Sequence, residues 1–597
     1  MSIPRPEYPR PQFVRQDWLC LNGDWQFEVD HADTGLERGV KDRDLTDRIL
    51  VPFCPESTLS GIGNTDFMEA VWYRREVRIP RAWQGRHAVL HFQAVDYDAT
   101  VWVNGVEVGR HRGGFSPFAC DLRGVVKPGE MATIVVRARD PRGEPKPGGK
   151  QSNRYGNYGC LYTRTTGIWQ TVWLEPVPEV FLKRPRITPD VANSCFHVVQ
   201  PVSSNPKGLR VRVTLRDKQG RVAVAESAAD LDFAARLTLK IPKRRVRLWG
   251  AGEPNLYDVV VELLDANGTV VDRAESYAGL RSVAIDGKAV TLNGKPVFQR
   301  QVLDQGYYAD GIMTAPSDAA LRRDIGLSIA AGFNSARLHQ KVFEERFLYH
   351  ADRLGYLVWG EFGDWGCRPW EQGRPLNGHR HQPAAALMAQ WLEVLERDVS
   401  HPCIIGWCPL NETHQDIEDH LTSLDDMTRG LFLATKAMDL SRPVLDTSGY
   451  SHREPEADIY DCHDYQQDAT KLQQNQAGLA DGKPYSNNVK WSVPYRGQPF
   501  FVSEFGGIWW NPDAKPGEAS WGYGDRPKSI EEFYSRFEGL CNVLLDNPDM
   551  FGYCYTQLTD VFQEQNGIYR FDRRPKFDLK RLRLIQGRSA AIEAQRA

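Results

Sequence analysis

After about residue 286 the hydrophobic period of the chain changes, and this change limits the possible folds more than any other feature. Short apolar runs alternate there with amphipathic stretches of helical spacing. Eight runs stand at 297–302, 333–338, 356–359, 403–410, 443–446, 458–462, 500–503 and 551–555. Runs this short and this continuously apolar suit strands buried on both faces. Between them, 317–331 reads as a helix with Ser317 as N-cap and Gly332 as stop. Segments 385–399 and 529–545 read as two more. Eight strands separated by helices over about 300 residues predict a (β/α)8 TIM barrel across 286–597.

The chain upstream has a strand period throughout. Trp72-Tyr73-Arg74-Arg75-Glu76-Val77-Arg78-Ile79 and Thr100-Val101-Trp102-Val103 alternate, with turn signals at Asn104-Gly105, Gly113-Gly114 and Pro128-Gly129. Residues 1–180 therefore predict a jelly roll or sandwich. A Gly-, Pro-, Asn- and Tyr-rich loop at 145–159 is long enough to suggest a function of its own. Residues 181–285 alternate in a different composition, as in Leu209-Arg210-Val211-Arg212-Val213-Thr214-Leu215. Roughly seven short strands there fit an immunoglobulin-like β-sandwich.

At 597 residues the chain exceeds one core. A net charge of −3 from 74 basic and 77 acidic residues argues against nucleic acid as partner. Eleven scattered cysteines without a matched CxxC pair argue against a zinc site and fit a reducing compartment. With no apolar leader at Met1-Ser2-Ile3-Pro4-Arg5-Pro6 and no apolar run of about 18 residues, the expectation is a cytoplasmic protein without a membrane partner.

Two of the predicted barrel strands end in glutamate. Cys403-Ile404-Ile405-Gly406-Trp407-Cys408-Pro409-Leu410-Asn411 leads to Glu412, and Pro499-Phe500-Phe501-Val502-Ser503 to Glu504. Packing explains a carboxylate at such a place poorly. Barrels carry their chemistry at the C-terminal strand ends, so strands four and seven would aim both groups into one mouth. Two carboxylates suit hydrolysis of a glycosidic bond, by retention if they stand about 5–5.5 Å apart and by inversion at roughly 6.5–9.5 Å. Arg337, ending the second strand, could hydrogen-bond Glu504 and keep it ionised. Tyr465 could donate to the nucleophile. Asp304 and Glu361 also reach the mouth, as structural partners or ligands of sugar hydroxyls. Asp446, Asp461 and Asp464 are weaker candidates. Trp365, Trp509 and Trp510 could stack on a sugar or fill the core.

Several motifs resemble glycoside hydrolase family 2, which contains β-galactosidases, β-glucuronidases and β-mannosidases. They include Leu21-Asn22-Gly23-Asp24-Trp25, Val101-Trp102-Val103-Asn104-Gly105, Gly167-Ile168-Trp169-Gln170, Leu292-Asn293-Gly294-Lys295-Pro296 and Gly355-Tyr356-Leu357-Val358-Trp359-Gly360-Glu361. The resemblance implies Glu412 as general acid/base, Glu504 as nucleophile and Asn411 as the contact to the sugar 2-hydroxyl. It places Arg337 and Tyr465 as supports of the nucleophile; the chemistry needs no cofactor, and although some relatives bind Mg²⁺ or Na⁺, no His/Asp/Glu spacing here calls for a metal. Relatives are often oligomers, so a homo-oligomer is a further expectation.

The departures from the family concern the sugar. Leu161 stands where many relatives have aspartate, and Thr556 where a tryptophan often floors the site. His339 follows Arg337 by two residues instead of three, with Gln340 in the third place. The stretch Gln563-Glu564-Gln565-Asn566-Gly567 lacks the lysine of a uronate clamp, which lowers glucuronidase activity in rank. The expected function is a retaining exo-glycosidase for a terminal neutral sugar, β-galactosidase-like by default. A pentose- or arabinose-releasing enzyme, a β-glucuronidase and a catalytically silent glycan-binding protein are the alternatives.

Overall fold

A computed structural model describes residues 3–142, 146–363, 370–371, 374–375, 385–413, 423–514 and 517–594. Trp365 lies outside the described residues, as does part of the loop at 145–159.

The N-terminal region folds as two antiparallel sheets, one of six strands and one of four, with a short two-stranded ribbon. Trp25, Tyr73, Leu90, Val101 and Leu174 come from both sheets and share one buried core. The Asn104-Gly105 turn joins strands Asp98–Val103 and Val106–Arg112. Both turn residues have positive φ, 51° and 79°, which the right-handed twist of a two-residue hairpin favours. Seven further strands form sheets of three and four, closed over Phe196, Val213, Leu237 and Val261 in an immunoglobulin-like sandwich. The two β regions are tied by Arg15, which binds Glu175 of the first at 3.0 Å and Asp272 of the second at 2.8 Å.

The TIM barrel follows. Seven parallel strands are hydrogen-bonded in one sheet. In barrel order they are Gln299–Asp304, Ser335–Leu338, Leu357–Glu361 and Ile404–Cys408 as strands one to four, then Tyr460–Asp464, Phe500–Phe505 and Met550–Tyr555 as strands six to eight. Strand eight pairs with strand one. The fifth run, expected at 443–446, makes only one bridge, Val444 to Trp407, before the two-residue strand Thr447–Ser448 pairs with Leu410–Asn411. The Val444 N–H donates to the Asp458 carboxylate at 2.8 Å, and the Asp446 side chain caps the N–H groups of Arg453 and Glu454.

The expected helix signals hold. The helix Asp318–Ala331 starts at Ser317, whose hydroxyl accepts the Ala320 N–H, and stops at Gly332 in the left-handed region. The other two are Ala385–Asp398 and Ile530–Leu545. The described cysteines are all free thiols, and most are buried. Among the described residues no helix is long and apolar enough to cross a membrane.

Candidate active site

The barrel mouth brings the two predicted carboxylates together. An oxygen of Glu412, an oxygen of Glu504 and a ring nitrogen of His463 all lie within 4.8 Å of one another. Both carboxylates therefore border one space, as a pair acting on a single anomeric carbon requires.

Glu504 stands in strand seven and is fixed by two donors. Arg337 Nη1 reaches its Oε1 at 3.3 Å, and the Tyr465 hydroxyl reaches its Oε2 at 2.5 Å. The Arg337 guanidinium is fully buried and binds Glu361 at 2.9 Å, Asn411 Oδ1 at 3.2 Å and the Ser503 carbonyl at 2.8 Å. One planar cation thus aligns strands two, three and seven with the segment after strand four. Tyr465 lies flat against Tyr523, with ring centroids 3.4 Å apart. Burial, and then the Glu504 charge, push the Tyr465 phenol well above its ordinary pKa, so it remains a donor.

Glu412 follows the Leu410–Asn411 strand in a left-handed backbone conformation, φ 47°, which a non-glycine residue holds only under constraint. Its N–H donates to the Ser448 carbonyl at 2.8 Å. The side chain of Glu412 is 17% exposed against 4% for Glu504, so the former faces the open side. Asn411 uses Oδ1 on Arg337, while its buried Nδ2 has no hydrogen-bond partner among the described residues and can donate to a ligand hydroxyl.

The other candidates fall into different places. Glu361 and His339 pair at 2.8 Å beneath Glu504. Burial, and then the charges of Lys150 and Arg337, hold His339 well below its ordinary pKa, hence neutral. Asp304 accepts the Gly306 N–H at 2.9 Å. Burial and neighbouring Asp324 raise it to about 7, opposed by Arg573 and Lys341. Asp304 thus supports the first-strand turn. Trp509 donates to Ser520 at 2.9 Å, and Trp510 is buried in the barrel core against Phe533. Thr556 meets the Tyr465 hydroxyl at 3.2 Å.

Two residues absent from the sequence-based candidates occupy the site. His463, in strand six, lies 2.8 Å from Glu412 Oε1 and 3.4 Å from Glu504 Oε2. Alternation along this strand would have shown it, because His463 falls between Asp461 and Tyr465 at two-residue spacing. Lys150 comes from the jelly-roll loop and is buried at the mouth. Gly149 makes this possible. At φ 58° it packs on the Gln340 carbonyl so closely that a Cβ would overlap it, and its N–H donates to Gly363 O at 2.5 Å. Burial opposes the Lys150 charge, but Glu564, Glu504 and Glu412 hold its proton on. Glu564 itself accepts from the Tyr162 hydroxyl and, at 3.2 Å, from Asn566.

Two other acidic, His and Cys clusters are spent internally. His401 and Tyr277 bind Asp352 beside Cys403, and Asp190 binds His197 and Asn193 beside Cys195.

Comparison with known proteins agrees with this architecture. Residues 61–141 match the model "Glycosyl hydrolases family 2, sugar binding domain", 180–281 match "Glycosyl hydrolases family 2" and 283–507 match "Glycosyl hydrolases family 2, TIM barrel domain". A β-glucuronidase of Paenibacillus borealis is 29% identical over 427 residues, covering 66% of this chain and 68% of the relative. A β-galactosidase of Thermoanaerobacter pseudethanolicus is 24% identical over 67% of this chain, which spans only 51% of that relative's length. The crystal structure of a Ruminococcus gnavus β-glucuronidase superposes with a TM-score of 0.76 at 20% identity, over 97% of this chain and 99% of that one.

Proposed function

Since the chain belongs to glycosyl hydrolases family 2 and is a glycoside hydrolase, we propose that it removes one neutral sugar from a chain end by double displacement with retention. The observation that carries this reading is the approach of the Glu412, Glu504 and His463 atoms within 4.8 Å. In the first step a Glu504 oxygen attacks the anomeric carbon while Glu412 gives a proton to the departing glycosidic oxygen. In the second, Glu412 takes a proton from water, which attacks the glycosyl ester and frees Glu504. Arg337 and Tyr465 steady the Glu504 carboxylate before attack, and the same donors stabilise it as it leaves. The free Asn411 Nδ2 suits the sugar 2-hydroxyl, a contact that strengthens in the transition state.

The charge around the pair favours a neutral sugar. Among the described residues, Glu361, Glu412, Glu504 and Glu564 surround the permanent cations Arg337 and Lys150. A uronate would add a carboxylate to this group, and among the described residues Lys150, whose charge Glu564, Glu504 and Glu412 already draw on, is the cation left to meet it. β-Galactosides are the first substrates to try, and pentosides such as arabinosides come next. A glucuronide is the second reading, favoured by the names of the relatives and by Lys150 as a cation at the mouth. A panel of nitrophenyl glycosides, with the product anomer followed by NMR, tests these readings. The expected result is turnover of a neutral glycoside with the retained anomer appearing first. Preference for the glucuronide would overturn the neutral reading, and an inverted product would overturn double displacement. Binding without turnover of any glycoside would favour a silent glycan-binding protein.

A further inference from the structure

His463 is held as tightly as the carboxylates it touches. Its backbone N–H donates to Asn487 Oδ1 at 3.1 Å, and its carbonyl accepts from Asn487 Nδ2 at 2.7 Å. The ring lies against Gly449, whose φ is 88°, where a Cβ would come within 2.7 Å of Cε1. Tyr450 meets the ring edgewise at 5.5 Å. So placed, the imidazole has one nitrogen toward Ser448 and the other between the two glutamates.

Proton counting then limits its state. The Ser448 hydroxyl has one hydrogen, and Asp461 Oδ2 accepts it at 2.9 Å. Asp461 is fixed as an acceptor by the Gly449 N–H at 3.1 Å and by His452 at 3.1 Å. Burial opposes its charge, yet His452 holds it down to about 2. Ser503 gives its own hydrogen to the Cys462 carbonyl at 3.2 Å. The Ser448 oxygen is therefore an acceptor toward His463 Nε2 at 2.9 Å, and Nε2 carries a hydrogen. Nδ1 faces only carboxylate oxygens, at 2.8 Å and 3.4 Å. The short contact needs one proton, either on Nδ1 with Glu412 ionised or on Glu412 with a neutral ring.

We propose that Glu412 and His463 hold this proton in common, and that His463 is the positioning residue that stores the proton Glu412 delivers to the leaving group. The idea rests on Glu412 as acid/base. In the first step the pair gives its one proton to the glycosidic oxygen, and in the second it regains one from the attacking water, so the balance closes over a turnover. The charged groups facing the ring are Glu412 from beyond strand four, Glu504 from strand seven and Asp461 from its own strand, with Arg337 behind Glu504 at 3.3 Å. Burial disfavours the imidazolium, but these carboxylates raise the ring above its ordinary value. The pair then titrates as a unit, with an apparent pKa that belongs to neither residue alone.

Heteronuclear NMR of the ring nitrogens in the full chain reads this without any substrate. The expected result is a His463 ring that keeps two protonated nitrogens above the ordinary histidine pKa and loses that property in Glu412→Gln. An unchanged His463 titration in Glu412→Gln would overturn the shared proton, whatever the enzyme's reaction. Kinetics supply the second arm. His463→Asn is expected to move the alkaline limb of kcat/KM down by about one pH unit. It should slow phenyl glycosides, which need the acid, about tenfold more than dinitrophenyl glycosides, which do not. Equal loss on both, with the limb unmoved, would leave His463 a structural prop and overturn the proposal. Failure of the acid/base reading is separate: Glu412→Gln would then show no dependence on the leaving group.

Discussion

Glu412 and Glu504 are the same residue at the ends of two buried runs of one barrel, yet their surroundings differ in kind. Glu504 is buried and receives hydrogen bonds from a permanent cation and a phenol, which hold its carboxylate in one fixed position. Glu412 is more exposed, sits in a strained backbone conformation and lies against a histidine that can take or give a proton. A nucleophile must stay charged and aligned, while an acid/base must change its protonation twice per turnover. The partner set, not the glutamate, assigns each role.

The largest expected effect breaks the comparison at its ionised side. Glu504→Ala should lower kcat on the preferred nitrophenyl glycoside by roughly 10⁴-fold or more, since the covalent route is lost. Glu412→Gln should cost less, about 10²–10⁴-fold on poor leaving groups. With a dinitrophenyl glycoside, azide should restore turnover of Glu412→Gln as a glycosyl azide of retained configuration. If azide instead rescues Glu504→Ala with retention, the two roles are exchanged. Tyr465→Phe keeps the ring stack on Tyr523 and removes one charge-assisted hydrogen bond. That contact is worth about 1.5–3 kcal/mol, so kcat/KM should fall about 10–150-fold. A loss of less than threefold would mean that Arg337 alone fixes the nucleophile.

The sequence shows the asymmetry only in part. The two glutamates are visible because a charged residue at the end of an apolar run has no packing reason to be there. Arg337 and Tyr465 are visible because the first stands at the end of its strand and the second follows its own. Ser317 and Gly332 mark a helix by local chemistry alone, which is why those limits coincide with the structure. What stays hidden depends on contacts distant in sequence. Lys150 enters the site from another domain, through a glycine whose positive φ and close approach to Gln340 have no local signature. His463 falls just past the apolar part of its strand, so a reading by apolar runs stops at Cys462. Strand five is short: its Val444 N–H goes to the Asp458 side chain, while other backbone bonds run to Trp407 of strand four, a division no apolar run announces. Asp304, read as either a structural partner or a ligand of a sugar hydroxyl, accepts the Gly306 N–H two residues on, a local contact that its place at a strand end does not announce.

The smallest expected effect sharpens the comparison on the acid/base side, and it is read from stability. Asp461 stands behind His463 through Ser448, and its folded pKa is depressed to about 2, with burial opposing and His452 holding it down. A carboxylate depressed in the fold contributes stability above its unfolded value of about 4, and this contribution is lost as pH falls from about 4 to about 2. The linkage amounts to about 2–3 kcal/mol at neutral pH. Asp461→Asn preserves the shape and removes the titration. Its unfolding temperature should therefore lie below that of the unaltered protein at pH 7, with the gap narrowing as the pH is lowered toward 3. Thermal unfolding followed by tryptophan fluorescence across that range measures the gap directly. A gap that stays constant with pH would mean that Asp461 does not stabilise the fold through its charge. The support behind Glu412 would then be a matter of shape alone, as it is not for Glu504.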